Sequence, residues 1–74
     1  MLDYIKIGKR VKESRRLKNM TQAKLAELAD MADASISRIE TGAKKVSLES
    51  LAKIARVLNA SLDFLAFGTN TNII

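Results

Sequence analysis

The side chains of this sequence that carry chemistry are mostly cations, and their spacing suits a polyanion better than a reaction centre. Lys6, Lys9, Arg10, Lys12, Arg15, Arg16, Lys18 and Lys24 face only Asp3 and Glu13 in the first third, and the whole chain has a formal charge of +5. Such density points to nucleic acid or an anionic membrane surface, the competing reading being a solvated helix face. Further along, Asp33, Ala34, Ser37 and Arg38 share the outer side of a helical repeat whose inner side holds Ile36 and Ile39. Arg38 is the foremost candidate for reading bases, because a guanidinium forks onto O6 and N7 of guanine; Asp33 can accept from cytosine N4, and Ala34 can touch a thymine methyl. The plainer alternatives are a surface ion pair for Arg38 and a first-turn acid matched to the helix dipole for Asp33. Histidine and cysteine are absent, so the usual general base, thiol nucleophile and soft metal ligands are missing. No pair of carboxylates stands in an apolar setting, and neither enzyme activity, a metal, a cofactor nor a small-molecule ligand is expected.

These side chains need a frame, and the stretch from Thr21 to Gly42 supplies it as two short helices, over about residues 21–29 and 32–41, joined by a tight turn. A helix-turn-helix of this kind lays its second helix in the major groove of DNA. Thr21 is a good N-cap, although Lys24 leaves the capping box incomplete. Leu25, Ala26, Leu28 and Ala29 form the buried side, Ala26 being small enough for two helices to cross closely. Asp30 takes the turn, Met31 points inward, and Gly42 ends the second helix in a left-handed cap. Before this motif, residues 3–18 read as a helix capped by Asp3, with Ile7, Val11 and Ser14 on the inner face and Leu17 beside them. Asn19 stops it and Met20 anchors the next turn. After the motif come a loop with Lys44 and Lys45, then a helix capped by Ser47 that buries Leu48, Leu51, Ala52, Ala55 and Leu58, with Ile54 bordering that face, and ends at Asn59. Ser61 caps a fifth, short helix that stops at Gly68. Leu62 and Leu65 suffice to dock it. Phe64 lies off that face and, with Phe67, marks a subunit contact, unless Phe64 folds back over the first helix.

The expected architecture is one compact, all-α, five-helix domain over residues 1–68, followed by a short polar tail, 69–74, that frays. No apolar stretch approaches the roughly 20 residues of a membrane span, and the start of the chain lacks the apolar core of a signal peptide. A soluble, cytoplasmic protein is expected.

The run IGKRVKESRRLKNMTQAKLAELADMADASISRIETG, followed by SLESLAKIARVLNASLDFL, resembles the phage-repressor/Cro-like helix-turn-helix family, also called the XRE family, over about residues 5–68. The resemblance implies a lambda-repressor-like fold and a transcriptional regulator, commonly a repressor, that binds double-stranded operator DNA as a homodimer. It implies that Gln22 meets a phosphate and helps orient the recognition helix, and that Asp33, Ala34 and Arg38, with Ser37 beside them, face base edges. Thr21, Ala32 and Ser35 match backbone-contacting or capping positions, and Lys44 and Lys45 match a loop that touches phosphates. Arg15 matches an arginine that pairs with the glutamate at Glu40 while lying close to the DNA backbone. This chain departs from the family in its turn, where Asp30 replaces glycine. It departs also at the start of the recognition helix, where Ala32 replaces Ser or Thr and Asp33 sets an acid against DNA. Antitoxins and restriction-modification controllers use the same domain, and a protein-interaction module that has lost DNA binding is the rival from another class.

Overall fold

The computed structural model describes residues 2–69, which contain helices and no strand. In chain order they are α1 (Tyr4–Leu17), α2 (Gln22–Leu28), α3 (Asp33–Thr41), α4 (Leu48–Leu58) and α5 (Leu62–Phe67). Each begins and ends close to where the sequence signals place it, and the caps explain why. The Asp3 carboxylate accepts the Ile5 and Lys6 N–H groups at 3.1 Å, while Thr21, Ser47 and Ser61 each accept an N–H three residues ahead. Ala32 has no side-chain acceptor, so α3 alone starts without a cap. The helix ends share one device: Asn19, Asp30, Gly42 and Asn59 sit at φ 54°, 57°, 81° and 53°. The next residue in each case returns its N–H to a carbonyl of the last turn, as in Met31 to Ala26 and Ala43 to Arg38.

The core gathers Ile7 and Val11 of α1, Leu25 and Ala26 of α2, Ile36 and Ile39 of α3, Leu51, Ile54, Ala55 and Leu58 of α4, and Leu65 of α5. Several expectations change. Leu17 is 85% exposed, because the buried stripe of α1 runs through Ile7, Gly8, Val11 and Arg15 and leaves Ser14 only half-buried. Leu48 is 72% exposed: the inward face of α4 begins one turn later, at Leu51, and Val46 from the preceding loop is buried in the core. Leu28, the last residue of α2, is exposed, and Ile54 is at the centre of the α4 stripe rather than at its border. Phe64 is half-buried and packs on the core, because α5 is short and is seated against both α1 and α4; the exposed aromatic is Phe67, at 58%. Of the tail, residues 70–74 lie outside the described residues.

The most extensive packing joins α1 to α3, and Gly8 permits it. A Cβ at Gly8 would lie 2.2 Å from the Ile39 carbonyl oxygen and 2.7 Å from that of Glu40, so backbone touches backbone there. Gly42 has a related duty, since a Cβ at its left-handed position would lie 2.8 Å from the Ile5 Cα. Helix propensity alone ranks alanine above glycine by about 1 kcal/mol. The clash should reverse that sign at Gly8: Gly8→Ala is expected to destabilise the fold by roughly 1–3 kcal/mol, read as a lower urea midpoint. An unchanged or higher midpoint would show that α1 can leave α3 at no cost.

Candidate nucleic-acid interface

The outward side of α3 carries the residues singled out from the sequence. Asp33, Ala34 and Arg38 are exposed, and Ser35 and Ser37 are half-buried, while Ile36, Ile39 and Glu40 turn inward. Neither ion pair among the described residues, Arg15–Glu40 or Lys24–Glu27, involves Arg38 or Asp33. Among the described residues the surface-pair alternative for Arg38 therefore finds no partner. Ala32 supplies no side-chain cap to the first turn of α3, whose Ser35 N–H donates to the Ala32 carbonyl at 3.0 Å, and Asp33 stands in that turn where the helix dipole favours an acid.

Behind this face is a junction of three helices. Arg15 of α1 donates from Nε to Glu40 Oε2 at 2.7 Å and from Nη2 to Oε1 at 3.0 Å. Its Nη1 donates to the Met20 carbonyl at 2.7 Å, which fastens the end of α1. Gln22, at the start of α2, donates from Nε2 to the same Glu40 Oε1 at 3.0 Å. Arg15 is 8% and Glu40 5% exposed. The hydrogen bond to Glu40 raises the Arg15 pKa above its ordinary value, burial opposes that rise, and the attraction of the carboxylate adds to it. Among the described residues no buried side-chain nitrogen or oxygen lacks a partner, so this charged centre is fully satisfied. Of the side chains expected at the phosphate backbone, Arg15 is thus the one turned inward. Its Nε, Nη1 and Nη2 are all engaged within the protein, because the buried carboxylate draws the fork in.

The remaining expected phosphate ligands stay near the surface. Lys44 and Lys45 are exposed in the loop after α3, and Lys44 Nζ donates to Ser35 Oγ at 3.4 Å, which brings the loop cation against α3. Thr21 Oγ1 accepts the Lys24 N–H and keeps its own hydroxyl hydrogen to donate. Beside it an open concavity of about 410 Å³ is walled by Lys18, Asn19, Met20, Thr21 and Lys24. The structure thus joins α3, the Lys44 loop and, through Glu40, the start of α2, while Phe64 and Phe67 belong to α5, which packs on α1 and α4. Sequence reasoning missed the Gln22–Glu40 link, whose partners are far apart in the chain and carry no local signal. No group of His, Cys, Asp and Glu among the described residues could hold a metal ion, and none of their helices is long and apolar enough to cross a membrane.

The model of the helix-turn-helix family matches residues 11–65. No curated protein matches the chain. Among solved structures, the restriction-modification controller protein C.AhdI from Aeromonas hydrophila is 32% identical with a TM-score of 0.82, the match covering 85% of this chain and 96% of that one. SinR of Bacillus subtilis, the master regulator for biofilm formation, solved in complex with DNA, is 35% identical with a TM-score of 0.77, over 80% of this chain and 95% of that one. The P22 c2 repressor protein, in complex with a synthetic operator, is 25% identical with a TM-score of 0.80, over 85% and 96% of the two chains.

The junction predicts its own fragility. Arg15→Met leaves a buried carboxylate with only Gln22 beside it, and should destabilise the fold by about 3–5 kcal/mol. Thermal unfolding followed by circular dichroism measures this, and a melting curve like that of the parent would mean that Glu40 finds water in place of Arg15.

Proposed function

This chain belongs to the phage-repressor/Cro-like (XRE) helix-turn-helix family and is a DNA-binding transcriptional regulator, and from that premise we propose that it is a cytoplasmic repressor that binds a palindromic operator as a homodimer. The single observation that carries the reading is the outer face of α3, where Asp33, Ala34 and Arg38 are exposed and the two charged side chains enter neither ion pair among the described residues, while the opposite face is locked into the core. Arg38 reads guanine, Asp33 and Ala34 select the neighbouring pairs, and Ser37 completes the set. Gln22, Thr21, Ser35, Lys44 and Lys45 hold phosphates and fix the register, and Ala32 lets the first turn of α3 approach the backbone. In a two-fold dimer the recognition helices meet successive major grooves about 34 Å apart. Phe67, exposed at the end of α5 while Phe64 packs on the core, is the proposed centre of the subunit contact.

A second reading within the class is a restriction-modification controller, favoured by the similarity to C.AhdI; restriction and modification genes beside the coding sequence would select it.

Selection of bound duplexes from a random pool, followed by salt titration, tests the reading. Affinity should fall steeply with salt as counterions return to the phosphates, and absence of binding to any duplex at low salt would overturn it. Arg38→Ala should lose roughly 1–3 kcal/mol of discrimination at one base pair; equal weakening on every duplex would instead put Arg38 on a phosphate. Phe67→Asp should sediment as a monomer, and an unchanged dimer would move the contact away from α5.

A further inference from the structure

We infer that Glu40 is a positioning residue for DNA binding: its buried carboxylate fixes which way the Gln22 amide faces and thereby sets the phosphate contact at the start of α2. The inference rests on the function proposed above and deepens it.

An ionised carboxylate only accepts hydrogen bonds. Glu40 Oε1 stands 3.0 Å from both Arg15 Nη2 and Gln22 Nε2. Gln22 must therefore bring its NH2 group, and not its carbonyl, to this point. The choice matters because the two ends of an amide have almost the same shape and opposite hydrogen-bonding sense. A phosphodiester oxygen takes only a donor, so an amide that turned its carbonyl to the DNA would repel it. Gln22 Nε2 carries two hydrogens. One is taken by Glu40, and the other remains for a phosphate oxygen, so that a single nitrogen bridges the protein's buried anion and the DNA's exposed one.

Glu40 can hold this pose because it cannot move. It is on the inner side of α3 and almost wholly buried, and the Arg15 fork grips both of its oxygens. Its negative charge is compensated on the protein side by Arg15, so it orients Gln22 without presenting an anion to DNA. The half-buried Gln22 side chain arrives at the interface with its rotamer already chosen, which removes an ordering cost from binding. Arg15, Gln22 and Glu40 come from three different helices. The same Glu40 oxygen therefore links the start of α2 to α3 and directs the Gln22 amide.

The test compares the effect of Gln22→Ala in two backgrounds, using the duplex recovered from the random pool at one fixed salt concentration. One background is the parent. The other is the double variant Arg15→Met with Glu40→Leu, which removes the charged pair without stranding either partner; apolar replacement of a buried pair commonly preserves folding. In the parent, Gln22→Ala should weaken binding about tenfold. In the apolar background binding should already be weakened, and Gln22→Ala should change it by no more than about twofold, the range of ordinary additivity. An equal loss in both backgrounds, or full parental affinity in the apolar background, would overturn the inference. Circular dichroism melting confirms that each variant is folded at the assay temperature. Should the apolar variant not fold, Glu40→Asp serves in its place, since it keeps the charge for Arg15 and draws the carboxylate back from Gln22. Parent protein that binds no duplex would refute the functional reading itself, whereas additive losses in a binding parent refute only the role of Glu40.

Discussion

Glu40 faces into the protein one residue after Ile39, and a carboxylate in that place must be neutralised before α3 can turn its other side outward. Arg15 does this with a two-point fork from α1, at 2.7 and 3.0 Å. The pair is poor evidence for net stability, because two ions have been taken out of water to make it. Its worth is geometric. A greasy contact between α1 and α3 tolerates sliding and rotation, whereas a planar guanidinium on a planar carboxylate tolerates little of either. The close approach at Gly8, the fastening of Met20 and the hold on Gln22 all converge on this pair. Rotation of α3 about its axis would break the fork and carry Arg38 away from its outward aim together.

Charge is distributed so that the two roles of arginine stay separate. Arg15 is spent inside the protein, as the burial and raised pKa of its guanidinium attest. Arg38 is exposed, and neither ion pair among the described residues reaches it. A polyanion approaching the basic surface therefore meets exposed cations on α3 and its following loop, while Arg15, in the last turn of the first helix, is already committed.

Much of this was legible in the chain because the signals are local. Asp3, Thr21, Ser47 and Ser61 cap where polar residues precede apolar repeats, and Asn19, Asp30, Gly42 and Asn59 stop helices where the left-handed conformation is needed. The outer set on α3 followed from Ile36 and Ile39 alone. Reading failed where partners from distant segments decide. Leu17 and Leu48 looked inward by period and are outward, since period tells which side of a helix is apolar but not how far along it the neighbours extend. Gly8 gives no sign in sequence that another backbone lies against it. Phe64 looked free because the groove between α1 and α4 that receives α5 exists only in three dimensions. Gln22 and Glu40, eighteen positions apart, meet through folding rather than through any pattern.

The freedom of the outer face of α3 has an evolutionary consequence. Asp33, Ala34 and Arg38 are exposed and make no bond that the fold requires, and substitutions at such sites usually shift stability by no more than about 0.5 kcal/mol. On the proposed function, operator preference and foldability are therefore carried by different residues of one nine-residue helix. A lineage of such proteins can wander from one DNA sequence to another by changing those outer letters while the domain beneath is inherited intact, and a designer can borrow the same division to retarget it.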